Sequence, residues 1–204
     1  MQSTDLAITF FTFLTVLANV AVVGIVGTAV AAAAGWPPGA RAWTALRSEL
    51  GAGGLGLAWV VAAVCTSGSL WFSEVAGFLP CRLCWIQRGF MYPLVLVLGV
   101  AAVAARTGHA RLAGGARLLA GGMTLLGAGV ATYHVLLERF PSLETGACDP
   151  ANPCSLVWFE RFGIVTLPYM ALSGFVLVLT LLVASRASVA AAPSLRLRPQ
   201  EALS

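Results

Sequence analysis

Leu83–Ala105, LCWIQRGFMYPLVLVLGVAAVAA, contains a single charge, Arg88. As a helix rising about 1.5 Å per residue it is long enough to cross the roughly 30 Å hydrocarbon core of a bilayer. Its apolar residues are continuous rather than spaced along one face, so lipid is the solvent it is built for. Outward from it the same pattern recurs in Gly51–Trp71, Leu118–Leu137 and Thr166–Ala184, and once more near the start, in Leu6–Ala34. Leu6–Ala34 is longer than the roughly 7–15 residues of a signal-peptide core and has no positive segment before it, so it is expected to stay as a helix. Gly35-Trp36-Pro37-Pro38-Gly39 breaks the pattern, and Arg41, Arg47 and Glu49 then fill a short polar connection. Arg106, His109, Arg111 and Arg117 mark a second connection. The fold class that follows is all-α, with five membrane-spanning helices.

Composition agrees. The 204 residues are 59% hydrophobic and 10% charged, with mean hydropathy +0.89, against about 45–50% and about 25% in soluble domains. So few charges cannot cover the chain's apolar surface, which excludes a water-soluble globule. A separate soluble domain needs about 100 residues, and no polar stretch of that length is left between the spans. The Ala and Gly content fits closely approaching helices in lipid.

The net charge is +4, all twelve cations are Arg, and they gather at span ends, which points to topology rather than to nucleic acid. Five alternating spans place Arg41, Arg47, Arg106, Arg111, Arg117, Arg186, Arg196 and Arg198 on one side with Glu49 and Glu201, eight positive to two negative. The other side has Arg82, Arg88, Arg139 and Arg161 against Asp5, Glu74, Glu138, Glu144, Asp149 and Glu160, four to six. The positive-inside rule makes the first side cytoplasmic. The N-terminus and the cysteine-bearing loops are then expected outside, and the C-terminus inside.

Four of the five cysteines fall on that outer side, where disulfides form and persist. Cys81-Arg82-Leu83-Cys84 follows Pro80 and opens the third helix, so free backbone N–H groups and the positive dipole end favour a thiolate there. Arg88 lies four residues beyond Cys84, on the same helix face. This predicts a low-pKa thiol at Cys84, with Arg88 holding the thiolate or bonding to an electron-accepting carbonyl. Snorkelling to the interface is the plain alternative for Arg88.

Cys148 and Cys154 enclose Asp149-Pro150-Ala151-Asn152-Pro153, a loop in which a bridge gains little from loop closure. Exposed bridges are the exchangeable ones, so the two pairs read as a relay, with an inert staple as the alternative. A C-x2-C…C-x5-C zinc set with His134 competes for the same residues, but its second spacing is wide and an oxidising compartment suits four thiolates poorly. A thioredoxin-type CxxC would need a βαβ pattern, which is missing. No metal is therefore expected. His134 and Glu138, at i and i+4, either relay protons or are plain interfacial polar residues. Cys65 reads as a small buried hydrophobe, and Trp158, Phe159 and Phe162 as anchors of an interfacial segment.

Pro80-Cys81-Arg82-Leu83-Cys84-Trp85-Ile86-Gln87-Arg88-Gly89-Phe90-Met91-Tyr92-Pro93-Leu94 strongly resembles the disulfide-bond formation protein B (DsbB) family, especially its BdbC-type branch. Tyr133-His134-Val135-Leu136-Leu137, Cys148, Pro153-Cys154 and Phe162-Gly163-Ile164-Val165-Thr166-Leu167-Pro168 occur in that family's order, and the likeness runs from Gly51 to about Ser185. The resemblance implies a thiol:quinone oxidoreductase of the bacterial cytoplasmic membrane. Its four-helix bundle would bind menaquinone or ubiquinone beside the CxxC and take electrons from an extracytoplasmic DsbA-like thioredoxin-fold oxidase. It implies Cys84 as the sulfur facing the quinone, Cys81 as its partner, Arg88 with Gln87 as quinone contacts, and His134 at the pocket's rim. Cys148 and Cys154 would exchange with the oxidase. The organisation expected is an extra N-terminal helix with its connection over 1–50, the DsbB-like bundle over 51–185 and a cytoplasmic tail over 186–204. The extra helix and the close spacing of the second pair depart from the better-known branch. Vitamin K epoxide reductases place their loop pair before the helix CxxC, the reverse of the order here. The rival class is a non-catalytic membrane protein with structural bridges, which predicts unreactive disulfides and no quinone.

Overall fold

A computed structural model describes residues 2–144, 146 and 148–185. The expected tail with Arg186, Arg196 and Arg198 lies outside the described residues. Among the described residues there are five α-helices: α1 Gln2–Ala33, α2 Pro37–Glu74, α3 Arg82–Arg106, α4 Ala110–Arg139 and α5 Leu167–Ser185. Each contains a stretch long and apolar enough to cross a membrane. A 3₁₀ turn, Pro141–Leu143, follows α4. Among the described residues there is no strand, only the isolated bridges Asp149–Asn152 and Arg161–Val165.

Two connections are shorter than the charges implied. The polar segment through Arg41, Arg47 and Glu49 is helix, continuous with the second span. Pro37 and Pro38 sit in the first turn, where their fixed φ suits a helix and their missing N–H groups have no intrahelical partner to lose. Trp43, Leu46 and Leu50 then share a face turned to the core. Likewise α4 already begins at Ala110, so Arg111 and Arg117 lie within it. Arg117 Nη2 donates to the Leu182 carbonyl (2.7 Å) and to Ser185 Oγ (3.1 Å), placing a cation at the C-terminal end of α5, where carbonyls lack helical partners.

Helices α2 to α5 form a four-helix bundle in which α3 packs on α4, α4 on α5, α5 on α2 and α2 on α3; α1 lies outside it against α2 and α5. The bundle core is built from Ala58, Ala62, Leu94, Leu98, Ala120, Ala131, Phe175 and Val178, all fully buried. Small residues permit this closeness. A Cβ on Gly127 would run into the Phe175 ring, and one on Gly54 would stand 2.7 Å from Ser185 Cβ. At the end away from Arg117, the start of α3, the end of α4 and the loop between α4 and α5 meet. Gly77, at φ +73°, turns the chain from α2 towards α3, and Phe78 N–H donates to the Phe72 carbonyl (3.0 Å).

Candidate active site

Cys81 is the N-cap of α3: its backbone is extended, and its sulfur accepts the Cys84 N–H at 3.3 Å, satisfying one of the donors a helix start leaves open. The two sulfurs are free thiols 3.0 Å apart, with Cys81 buried and Cys84 partly buried. The Cys84 thiol, hydrogen-bonding to the Cys81 sulfur, is the main reason the Cys81 thiol is lowered to about 4; burial opposes the shift and His134 supports it. This corrects the placement of the thiolate. The helix-terminal N–H and His134 both converge on Cys81, not on Cys84. Arg88 is turned to α2, where Nε donates to Ser69 Oγ and Nη2 to the Ser69 carbonyl, each at 3.0 Å. Its guanidinium also lies 5.2 Å from the Trp85 ring centre and 6.0 Å from that of Tyr92, whose hydroxyl donates to Ser69 Oγ (3.1 Å).

His134 is 2% exposed and joins three chain segments. Nε2 lies 3.0 Å from the Cys154 carbonyl oxygen and 3.6 Å from Cys81 Sγ, and Nδ1 lies 2.9 Å from Gln87 Nε2. A carbonyl can only accept, so Nε2 is the donor towards Cys154, while Nδ1 faces the Gln87 side-chain amide. His134 does not itself line the cavity that Cys84 and Gln87 border. His134 stands behind Gln87, between the two cysteine pairs. Glu138 turns to another partner, accepting from Thr166 Oγ1 at 2.5 Å.

Cys148 and Cys154 form a disulfide. The exposure expected of it is also corrected: Cys148 is 7% and Cys154 1% exposed, because both sulfurs pack with Cys81, Leu83 and Leu137 in one apolar cluster while Asp149, Pro150 and Ala151 face outward. Asp149 orders the turn through Oδ1, which accepts from Ala151 N–H (2.9 Å), and its carbonyl accepts from Asn152 N–H (2.9 Å). Asn152 Nδ2 donates to the Pro80 carbonyl at 3.2 Å, fastening the loop to the residue before the CxxC. Three ligand atoms, from Cys81, Cys84 and His134, lie within 4.8 Å of one another and could hold a metal ion. The four-cysteine set would need Cys148 and Cys154 as thiolates, and here they are bonded to each other.

Cys84, Gln87 and Arg88 line one wall of a cavity of about 460 Å³, a size within the roughly 300–1,000 Å³ of small-molecule sites. The other walls come from α1, α2 and α5, and Phe78 and Trp158 cover its end, stacked 4.9 Å apart. Trp158 and Phe159 thus pack onto the α2–α3 connection, whereas Phe162 is 81% exposed. Cys65 lines the cavity deeper in, against Gly174. Sequence reading missed Ser69, Tyr92 and Asn152. Tyr92 stands one turn from Arg88, a spacing that could have flagged it; the other two act across elements and leave no local signal.

The family model described as "Disulfide bond formation protein DsbB" matches residues 52–152. A probable disulfide formation protein of Oceanobacillus iheyensis is 40% identical over 127 residues, 61% of this chain and 83% of that protein. Disulfide bond formation protein C of Bacillus subtilis is 38% identical over 122 residues, 59% of this chain and 83% of that protein. A probable disulfide formation protein C of Halalkalibacterium halodurans is 34% identical over 122 residues, with the same two coverages. No solved structure matches the chain. The matched region holds Cys81, Cys84 and Cys148 and ends inside the loop that Cys154 closes, and with relatives of this identity and coverage the chain belongs to the DsbB family of disulfide-forming oxidoreductases.

Proposed function

We propose that the protein is a thiol:quinone oxidoreductase of the bacterial cytoplasmic membrane. It reoxidises an extracytoplasmic, DsbA-like thioredoxin-fold oxidase and passes the electrons to menaquinone or ubiquinone. One observation carries the reading: Cys81 shares a cluster with the Cys148–Cys154 bridge, while Cys84, its CxxC partner, lies on the wall of an apolar cavity beside Arg88. A dithiol pair so placed faces a disulfide on one side and a membrane-facing cavity on the other. The Arg bias supports a topology with the cysteine end outside and Arg41, Arg47, Arg106, Arg111 and Arg117 inside.

A partner thiolate attacks Cys148, the less buried sulfur of the bridge, and Cys154 leaves as thiolate; the partner's second thiol then displaces Cys148, and the partner departs oxidised. Cys154 next attacks Cys81 in the oxidised CxxC, releasing Cys84 at the cavity, and Cys148 resolves that bond, leaving Cys81 and Cys84 reduced and the loop bridged. In the reduced pair Cys84 N–H and the His134 Nε2–H hold the Cys81 thiolate, ready to re-form its bond to Cys84 as two electrons leave through Cys84. A bound quinone supplies the two-electron, two-proton acceptor. One proton is that of the Cys84 thiol and the other comes from water. Arg88, fixed in plane by Ser69, Trp85 and Tyr92, presents donors to a quinone carbonyl, and Gln87 lines the same wall. The cavity fits such a ligand: it is apolar over most of its surface, with polar groups gathered at the Cys84–Arg88 end.

The test is anaerobic mixing of purified protein and quinone with a reduced thioredoxin-fold oxidase, followed by quinone absorbance and partner thiol content. One quinone should be consumed per partner disulfide formed. Two inert bridges and unchanged absorbance would leave the protein a non-catalytic membrane component.

A further inference from the structure

The first helix is not accounted for by the four-helix core, and it lies outside the matched region. We infer that α1 is a wall of the quinone site and that its face Phe11, Leu14, Thr15 and Ala18 grips the hydrocarbon chain of the quinone. The inference rests on the quinone reading above.

These four residues stand at i, i+3, i+4 and i+7 and therefore share one helix face. All four line the cavity whose opposite wall has Cys84, Gln87 and Arg88. The seat for α1 is cut into α2. A Cβ on Gly68 would stand 2.6 Å from Phe11 Cε1 and 2.8 Å from its Cζ, so any larger residue there would force the ring out of place. Phe11 continues into the aromatic cover of the cavity, 5.4 Å from Phe72, which stacks on Phe78 at 5.7 Å. Two polar ties fix the helix. Asn19 Nδ2 donates to Tyr169 Oη at 3.2 Å, and Asp5 pairs with Arg161 at 3.4 Å. A helix serving only as an anchor in lipid needs neither a glycine-cut seat nor a hydrogen bond to another span.

The chemistry of the face selects which part of the ligand it meets. Its one hydroxyl, on Thr15, donates to the Phe11 carbonyl at 2.8 Å, so it has no donor to spare for a quinone oxygen. The carbonyl-binding groups stand on α3. Phe11 to Ala18 covers roughly 10 Å of wall at about 1.5 Å per residue, an apolar strip suited to an isoprenoid chain.

The experiment uses the full chain and a prenylquinone bearing a diazirine on its chain, photolysed in the dark-equilibrated complex and mapped by peptide mass spectrometry. Label is expected on α1 between Phe11 and Ala18, and it should be displaced by unlabelled prenylquinone. In parallel, Ala18→Trp should weaken prenylquinone binding about tenfold, and Leu14→Ala should weaken it several-fold. Both should leave a tail-less quinone unaffected. Val20→Trp, on the exposed side of α1, is the control and should change nothing. Label confined to α2, α3 and α5, or equal losses for tailed and tail-less quinones, would overturn the role of α1 and leave the quinone reading standing. No saturable label on any helix would remove the quinone reading, and the inference with it.

Discussion

The two cysteine pairs meet in one cluster, yet opposite kinds of structure hold them. Cys81 and Cys84 are fixed by the first turn of α3, a helix packed on both α2 and α4, and their sulfurs cannot move far without unwinding it. Cys148 and Cys154 sit six residues apart in a loop ordered by an Asp149 turn, their own bridge, one bond to Pro80 and one to His134. Opening the loop costs a few neutral hydrogen bonds of about 0.5–1.5 kcal/mol each and the packing of two sulfurs, less than unwinding a membrane helix, whose backbone groups have no water to turn to. The compliant pair can therefore swing away from the cluster and back, while the rigid pair keeps a constant relation to the cavity.

The largest effect should come from removing the compliant pair. Cys148→Ser or Cys154→Ser should lower oxidation of the partner by more than about a thousandfold, the scale at which a covalent step is lost. A small dithiol that reaches the cavity end directly should still be oxidised by quinone through Cys81 and Cys84. Normal turnover with the partner in either variant would make the loop bridge a staple and erase the contrast.

The rigid pair is distinguished by where its negative charge rests. In Cys84→Ser, which keeps a hydroxyl donor beside Cys81, alkylation of Cys81 should be nearly independent of pH above about 5 and fall away as pH drops through about 4. The sign follows from the lowered pKa: the thiolate is the native form above the midpoint and is lost by protonation below it. Adding His134→Ala should move the midpoint upward. A midpoint near the unperturbed ~8.5 would show that the donors around Cys81 do not act on its charge.

The spans were legible because unbroken apolar runs admit few other readings, and the CxxC at a helix start was legible because both sulfurs belong to one turn. What failed was relations between elements. Local spacing paired Arg88 with Cys84 and His134 with Glu138, since i and i+4 neighbours are all a single helix displays. In the structure Arg88 turns across to Ser69 on α2, His134 across to Gln87 and Cys81 at the start of α3, and Glu138 to Thr166 before α5. The charges Arg41, Arg47 and Glu49 disguised a helix, because its apolar face of Trp43, Leu46 and Leu50 is only three residues wide. Nothing in Leu6–Ala34 hinted at Phe11 entering a notch at Gly68, for that fit depends on a glycine in another span.

A smaller effect should separate the ends of the rigid pair. Arg88→Lys should raise the quinone KM roughly ten- to a hundredfold, the equivalent of losing one charge-assisted hydrogen bond of about 1.5–3 kcal/mol. Lys cannot bond both Ser69 Oγ and the Ser69 carbonyl while lying flat near Trp85. Thiol exchange between the partner and the loop should be spared. An unchanged KM would return Arg88 to a snorkelling role at the interface.

The smallest expected effect tests the join between the pairs. Asn152 Nδ2 to the Pro80 carbonyl is the one side-chain hydrogen bond described between the bridged loop and the segment leading into Cys81. It is partly buried and neutral, so its loss in Asn152→Ala should cost about 0.5–1.5 kcal/mol. That energy should appear as a looser register between Cys154 and Cys81, slowing disulfide transfer between the pairs about two- to tenfold. Partner attack on Cys148 should not slow, because the loop need not hold its docked place for that step, and a modest acceleration is expected if undocking precedes attack. Rapid mixing with acid quench resolves the two steps as separate phases. A slower partner step with transfer unchanged would mean that Asn152 shapes the outer surface of the loop, and that some contact other than this one sets the register between the pairs.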